Sequence, residues 1–169
     1  SRLVSKYFRA EEKYLKENKI PYEKLSKDNI AKTVSDLLAN QKVVGWFEGR
    51  MEFGPRALGA RSILGDPRSQ EMQSIINLKI KFRESFRPFA PSVLLEKAAE
   101  FFGLKCESPY MLLVSPVEES KRCKDSGAEA GKGFDRLKVK RSEVPAITHV
   151  DYSARVQTVK RDENELYYD

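Results

Sequence analysis

At 169 residues and 19.4 kDa the chain can form one domain with a sizeable core and leaves little room for a second full one. Hydrophobic residues make up 40% and charged residues 33%, an ordinary soluble composition. The net charge of +6 and pI near 9.2 point to an anionic partner, with phosphorylated small molecules, nucleic acid and acidic proteins all open.

Phe8 to Asn18 reads as a short charged helix, closed by Ile20-Pro21-Tyr22, where proline forces an extended connection. Ser26 or Asp28 is placed to cap a second helix, along which Ile30, Val34, Leu37 and Leu38 keep helical spacing. Lys42 to Phe47 is a short apolar run expected as a buried strand, and helix followed by strand is an α/β signature. Ser69 to Asn77 fits a further helix. Leu78 to Arg83 alternates strictly, the period of a strand with one buried face, which would set Lys79, Lys81 and Arg83 side by side. Ala90 to Leu95 is expected as a strand, Glu96 to Phe102 as a helix and Tyr110 to Val117 as a strand. Residues 118–143 are poor in apolar side chains and mixed in charge, the pattern of a long exposed or disordered loop. Ala146 to Val150 and Ala154 to Val159 are expected as strands around a turn.

Cys106 and Cys123 are too few for a disulfide framework and match no zinc spacing; they are expected as free thiols of a cytosolic protein. No apolar run approaches the length of a membrane span, and Ser1 to Arg9 lacks a signal peptide's hydrophobic region. The glycines between Gly127 and Gly133 have the wrong spacing for a phosphate-binding loop.

The chemistry concentrates between Arg50 and Arg87. Eight basic residues (Arg50, Arg56, Arg61, Arg68, Lys79, Lys81, Arg83 and Arg87) face four acidic ones there, a net +4 of the chain's +6. The planar fork of arginine suits bidentate contact with phosphate or carboxylate, and Gly49, Gly54, Gly59 and Gly65 would let backbone N–H groups approach a ligand. Arg87-Pro88-Phe89-Ala90-Pro91 adds a stiff segment beside the cations. Interleaved Trp46, Phe47, Phe53, Phe82, Phe86 and Phe89 also fit nucleic-acid binding. The glycines and prolines imply a shaped pocket instead, so a small phosphorylated ligand is preferred and nucleic acid kept as the alternative. His149 is the only histidine; with Asp151 it would share a strand face and could touch a ligand, although from these residues alone a plain polar pair at a strand end is the preferred reading. Ser62 has no histidine nearby in sequence, which gives a serine hydrolase little support.

Three blocks make the sequence recognisable. Gly49 to Leu64 (GRMEFGPRALGARSIL), Asn77 to Pro91 (NLKIKFRESFRPFAP) and His149 to Val159 (HVDYSARVQTV) resemble signatures of the C-terminal domain of NodU/CmcH-type O-carbamoyltransferases. The resemblance covers nearly the whole chain and implies an α/β, YrdC-like domain with a twisted mixed sheet flanked by helices, similar to threonylcarbamoyl-adenylate synthases. It implies that ATP, with Mg²⁺, and carbamoyl phosphate bind here and yield a carbamoyl-adenylate. A separate N-terminal domain of the actin-like ATPase type, which would carry the metal ion, then passes the carbamoyl group to a substrate hydroxyl. Lys81 and Arg83 resemble the Lys-x-Arg element that contacts ATP and the carbamoyl donor, with Arg87 beside them; Arg50, Arg56, Arg61, Ser62, His149, Asp151 and Arg155 match the other motif positions. Two departures stand out. Tyr152 occupies a position where the family usually has glycine, and a later Asn-Thr-Ser-Phe-Asn segment of the family is absent. The chain is therefore expected to be a cytoplasmic piece, truncated at its C-terminus and incomplete as a catalyst. Choice of acceptor would lie mainly with the N-terminal domain.

Overall fold

Amphipathic spacing dictates where the helices pack. In the computed structural model, which describes residues 8–123 and 139–169, the N-terminal helix α1 spans Phe8–Glu17 and α2 spans Lys27–Ala39. Ile30 and Val34, four apart and hence on one face of α2, are both buried. Ser26 does stand at the N-cap position with extended backbone, but its side chain makes no capping bond. Asp28 in the first turn favours the helix dipole instead.

Strands β1 (Val44–Phe47) and β2 (Arg61–Leu64) pair antiparallel, Val44 opposite Leu64 and Phe47 opposite Arg61. Only Trp46 of β1 is buried, so this strand is half-exposed and not the fully buried one its apolar run suggests. Helix α3 (Met72–Lys79) packs Met72 and Ile76 inward, and α4 (Leu95–Phe102) does the same with Ala98 and Phe102. Gly103 ends α4 in the left-handed region (φ +59°), which its missing Cβ makes inexpensive. β3 (Ser92–Leu94) pairs in parallel with β6 (Gln157–Val159), and β4 (Val114–Pro116) pairs antiparallel with β5 (Ser153–Arg155). Helix α5 (Glu165–Tyr168) is capped by Asn164, whose side chain accepts from Tyr167 N at 3.1 Å.

The architecture is thus mixed α/β, built among the described residues from three two-stranded sheets and no closed barrel. One core gathers Phe102, Val117, Val144, Ile147, Ala154 and Val156; a second gathers Ile30, Val34, Trp46 and Leu166. A third and smaller one, Met72, Ile76 and Ala146, joins α3 to the 145–147 turn.

Several sequence expectations need correction. Residues 78–83 are not a strand: α3 runs to Lys79, and both Ile80 N and Lys81 N still bond back to Ile76 O. Phe82 then takes a left-handed backbone (φ +47°), so Lys79, Lys81 and Arg83 share no sheet face. Pro145 opens a 3₁₀ turn over Pro145–Ile147, followed by a turn at His149, where a strand over 146–150 was expected. The run 154–159 divides at Val156, whose N–H bonds to Leu113 O, into β5 and β6 on different partners. Tyr110 to Val117 yields only the three residues of β4. Within 118–143 both ends are ordered: Arg122 bridges Ser142, and Arg141 and Ser142 are buried. Residues 124–138, with Gly127 to Gly133, lie outside the described residues.

Phe102→Ala removes the largest side chain of the main core, so it should lower unfolding free energy by about 3–5 kcal/mol, read from urea titration. The exposed Leu112→Ala should change it by less than about 0.5 kcal/mol.

Candidate functional site

Residues 48–60 connect β1 to β2, and a glycine-rich loop of that length needs internal anchors to hold one shape. Glu52 supplies one. Its Oε1 accepts from Leu58 N and Ala60 N, both at 2.8 Å, while Oε2 lies 3.5 Å from Arg61 Nε. Burial pushes the Glu52 carboxyl upward, but the Ala60 N–H, its own backbone, the Leu58 N–H and the Arg61 charge outweigh it and hold the group below the ordinary glutamate range. Arg61 reaches across with Nη2 to donate to Gly54 O and, at 3.4 Å, to Arg56 O. Ser62 Oγ accepts from Gly59 N at 3.1 Å. These contacts make Arg61 and Ser62 structural members of the loop. The Nε atoms of Arg56 and Arg61 are both buried without a hydrogen-bond partner, though Arg61 Nε has the Glu52 carboxylate 3.5 Å away.

The loop is also tied from outside. Gln157 Nε2 donates to Leu58 O at 2.7 Å, Ser92 Oγ donates to Gln157 Oε1 at 3.2 Å, and Ser92 Oγ meets Tyr167 OH at 2.8 Å. The Tyr167 ring covers Gly59 so closely that a Cβ there would come within 2.9 Å of it, and Gly59 has φ +110° besides. Glycine is required here on both counts. Arg50 is exposed and lines a polar hollow of about 330 Å³ with Glu48, Gly49, Ala60 and Asn164.

The second basic segment hangs on one buried amide. Asn77, fully buried at the end of α3, donates through Nδ2 to Ser85 O (3.0 Å) and Arg87 O (2.8 Å). Its Oδ1 accepts from Arg83 Nε at 2.6 Å, and its backbone O from Arg83 N at 3.0 Å. Gln73 adds a bond to Phe86 O at 2.9 Å. The Arg83 guanidinium lies 5.1 Å from the centre of the Phe89 ring, a cation–π distance. Arg87 pairs with Glu84 at 2.8 Å, both exposed, whereas Lys81 Nζ meets no carboxylate among the described residues.

The third group lies on the turn before β5. Ser153 Oγ stands 2.7 Å from Asp151 Oδ1 and 3.2 Å from His149 Nδ1. Tyr152 has φ +63°, a conformation that explains why a glycine suits that position, and its ring carries Arg122 at 5.1 Å. Arg155 is exposed on β5.

The sequence-predicted residues therefore form three clusters. Among the described residues no side-chain hydrogen bond or ion pair joins Lys81, Arg83 or Arg87 to Arg50, Arg56, Arg61 or Ser62. Arg68 is engaged in a fork to the buried Asp66, with contacts of 2.5–3.0 Å, and is no free cation. What links the segments that carry the clusters is core packing: Gly65 packs on Met72 and Ile76, which also touch Ala146, three residues before His149. A cleft of about 390 Å³ lined by Trp46, Met72, Phe89, Ala146 and Tyr167 is mainly apolar, and none of the predicted cations lines it. Residue type could not reveal Glu52 or Asn77, whose partners lie six to ten residues on across irregular backbone, or Gln157 and Tyr167, whose side chains meet Leu58 and Ser92 across 65 to 99 residues. Among the described residues no three metal-ligating side chains converge, and no helix is long and apolar enough to cross a membrane.

Residues 35–169 match the family model described as carbamoyltransferase C-terminus. An uncharacterized protein of Synechocystis is 55% identical over 148 residues, 87% of this chain and 24% of that protein. Nodulation protein NolO of Bradyrhizobium diazoefficiens is 48% identical over 84% of this chain and 23% of its own length. The 3'-hydroxymethylcephem-O-carbamoyltransferase of Amycolatopsis lactamdurans is 39% identical over 78% of this chain and 21% of its own. The chain thus spans about a quarter or less of the curated relatives it matches.

A carboxyl held below its unfolded pKa binds fewer protons when folded. Its contribution is full above the unfolded value, about 4.3, and is lost as pH falls through the depressed folded one. Glu52→Gln should therefore be less stable than the parent at pH 7, with the gap narrowing below about pH 4 in thermal melts. A gap that stayed constant down to pH 2 would count against the anchor.

Proposed function

The chain belongs to the carbamoyltransferase C-terminus family, and from that premise we propose that it is the ATP- and carbamoyl-phosphate-binding part of an O-carbamoyltransferase, with a YrdC-like fold. The observation that carries this reading is the 81–87 loop. Asn77 fixes its backbone and the Arg83 Nε, leaving the terminal Nη atoms of Arg83 and the Lys81 Nζ without a carboxylate among the described residues. Two cations on a fixed loop are preorganised for an anion, because their orientation costs little at the moment of binding. Phosphate oxygens suit the arginine fork, and Lys81 adds a point charge.

The buried Arg56 Nε fits the same ligand class, since an anionic oxygen would satisfy a donor that the protein leaves unmatched. In this reading water would release phosphate from carbamoyl phosphate, and the carbamate so formed would attack the α-phosphorus of ATP to give a carbamoyl-adenylate and expel pyrophosphate; a Mg²⁺ ion brought by ATP would offset the phosphate charge. Lys81, Arg83 and Arg87 hold the phosphates, and Arg50 and Arg56 extend the positive surface along the β1–β2 loop. The carbamoyl group then passes to the hydroxyl of a substrate held by another part of the polypeptide, releasing AMP. The relative named for a 3'-hydroxymethylcephem suggests a hydroxyl-bearing acceptor of that general kind. An actin-like N-terminal domain and a cytoplasmic location complete the proposal. Family membership favours it over RNA binding by the same basic surface.

Isothermal titration with ATP and Mg²⁺ tests the assignment. Lys81→Ala and Arg83→Ala should each weaken binding by about ten- to hundredfold, the range of a lost charge-assisted contact of about 1.5–3 kcal/mol. Binding that both variants leave untouched would refute the site. Oligonucleotide affinity that exceeds ATP affinity and falls steeply with salt would support the RNA reading instead.

A further inference from the structure

His149 is the chain's sole histidine, and the geometry around it fixes more than its location. The turn closes on itself through His149 N to Ser153 O at 2.8 Å and Tyr152 N to His149 O at 3.0 Å. Inside the turn the Ser153 hydroxyl is shared between Asp151 Oδ1 at 2.7 Å and His149 Nδ1 at 3.2 Å. Asp151 Oδ1 also accepts from Ser153 N at 3.0 Å.

Proton counting then decides the ring. A hydroxyl has one hydrogen, and an ionised carboxylate can only accept. The Ser153 hydrogen therefore goes to Asp151, whose carboxyl is held ionised by the Ser153 hydroxyl and the Ser153 N–H. The Ser153 oxygen is left as an acceptor facing His149 Nδ1, so Nδ1 must carry the ring hydrogen. A neutral imidazole has only one, and Nε2 is bare. Burial keeps the ring neutral at pH 7, and Arg155 works in the same direction against the opposing pull of Asp151. Nε2 has no hydrogen-bond partner among the described residues, and it is not among the polar atoms sealed from solvent.

We propose that Ser153 and Asp151 are positioning residues that lock His149 as its Nδ1–H tautomer, so that the bare Nε2 accepts a hydrogen bond from a ligand N–H while Arg155 meets an anionic oxygen of that ligand. A ligand carrying an amino donor close to an anion fits this pair. On the reading of the preceding section, on which this half rests, that ligand is carbamoyl phosphate: its NH₂ faces Nε2 and its phosphate faces Arg155. The ring is then an orienting acceptor that fixes which end of the small donor points where, and it breaks no bond. Ser153 and Asp151 act only through it.

Long-range ¹H–¹⁵N correlation spectra of the ¹⁵N-labelled 169-residue chain read the tautomer directly, because one histidine gives one set of ring signals. At pH 7 the ligand-free chain should show a pyrrole-type Nδ1 and a pyridine-type Nε2. Saturating carbamoyl phosphate should shift the Nε2 signal. Ser153→Ala should move the ring toward the Nε2–H form and weaken carbamoyl phosphate binding about five- to tenfold, and Ser153→Thr, which keeps the hydroxyl, should restore both. An Nε2–H tautomer in the ligand-free chain overturns the lock. Carbamoyl phosphate that binds while the ring signals stay put overturns the contact and leaves the wider function standing. Carbamoyl phosphate that does not bind at all overturns that wider reading and, with it, the ligand assigned to Nε2.

Discussion

One buried amide holds the basic surface in shape. Asn77 sits fully buried on the last turn of α3, where an amide without partners would be costly, and it spends both Nδ2 hydrogens on the carbonyls of Ser85 and Arg87. Its Oδ1 holds Arg83 by Nε. A loop with two prolines downstream and the left-handed Phe82 upstream gains its single conformation from these bonds more than from burial, since Phe82 itself is 85% exposed. Leu78, Ile80 and Phe86 are exposed as well, so these side chains add little burial to hold the segment.

The β1–β2 loop repeats the same logic with a carboxylate. Glu52 gathers two N–H groups from inside the loop, while Gln157 and Tyr167 fasten it to β6 and α5. Both basic segments are thus irregular backbone held by buried or half-buried polar side chains, with cations left on the outside. That division explains why arginines abundant in the sequence have such different partners. Arg61 and Arg68 are internal ties, Arg83 is held through Nε and meets no carboxylate among the described residues, and Arg50 is exposed beside a polar hollow.

The helices were legible because their cores rest on i,i+4 pairs: Ile30 with Val34, Met72 with Ile76, Ala98 with Phe102. The alternation of Leu78, Ile80 and Phe82 imitated a strand with one buried face, yet none of the three is buried; hydrogen bonding from α3 carries through Ile80 and Lys81 regardless of side-chain pattern. Likewise Ala154 to Val159 reads as one strand, yet two different neighbours claim its halves, and no local signal records a neighbour. The cations of the candidate site were visible as residue types. Their supports were not, because Asn77, Glu52 and Gln157 are ordinary polar residues until folding brings a carbonyl or an N–H to them. A turn between Val150 and Ala154 was legible; that it begins at His149, whose O accepts from Tyr152 N, was not.

The central claim is that Asn77 serves ligand binding through Arg83, and a double-mutant cycle on ATP affinity isolates that link. Asn77→Ala, Arg83→Ala and the double variant, each first shown to fold by circular dichroism, would be titrated with ATP and Mg²⁺ beside the parent. The account predicts that Asn77→Ala weakens binding in the parent but adds little once Arg83 is gone, a coupling of about 1 kcal/mol or more. Strictly additive losses would show that Asn77 supports the fold without setting the cation, and would contradict it.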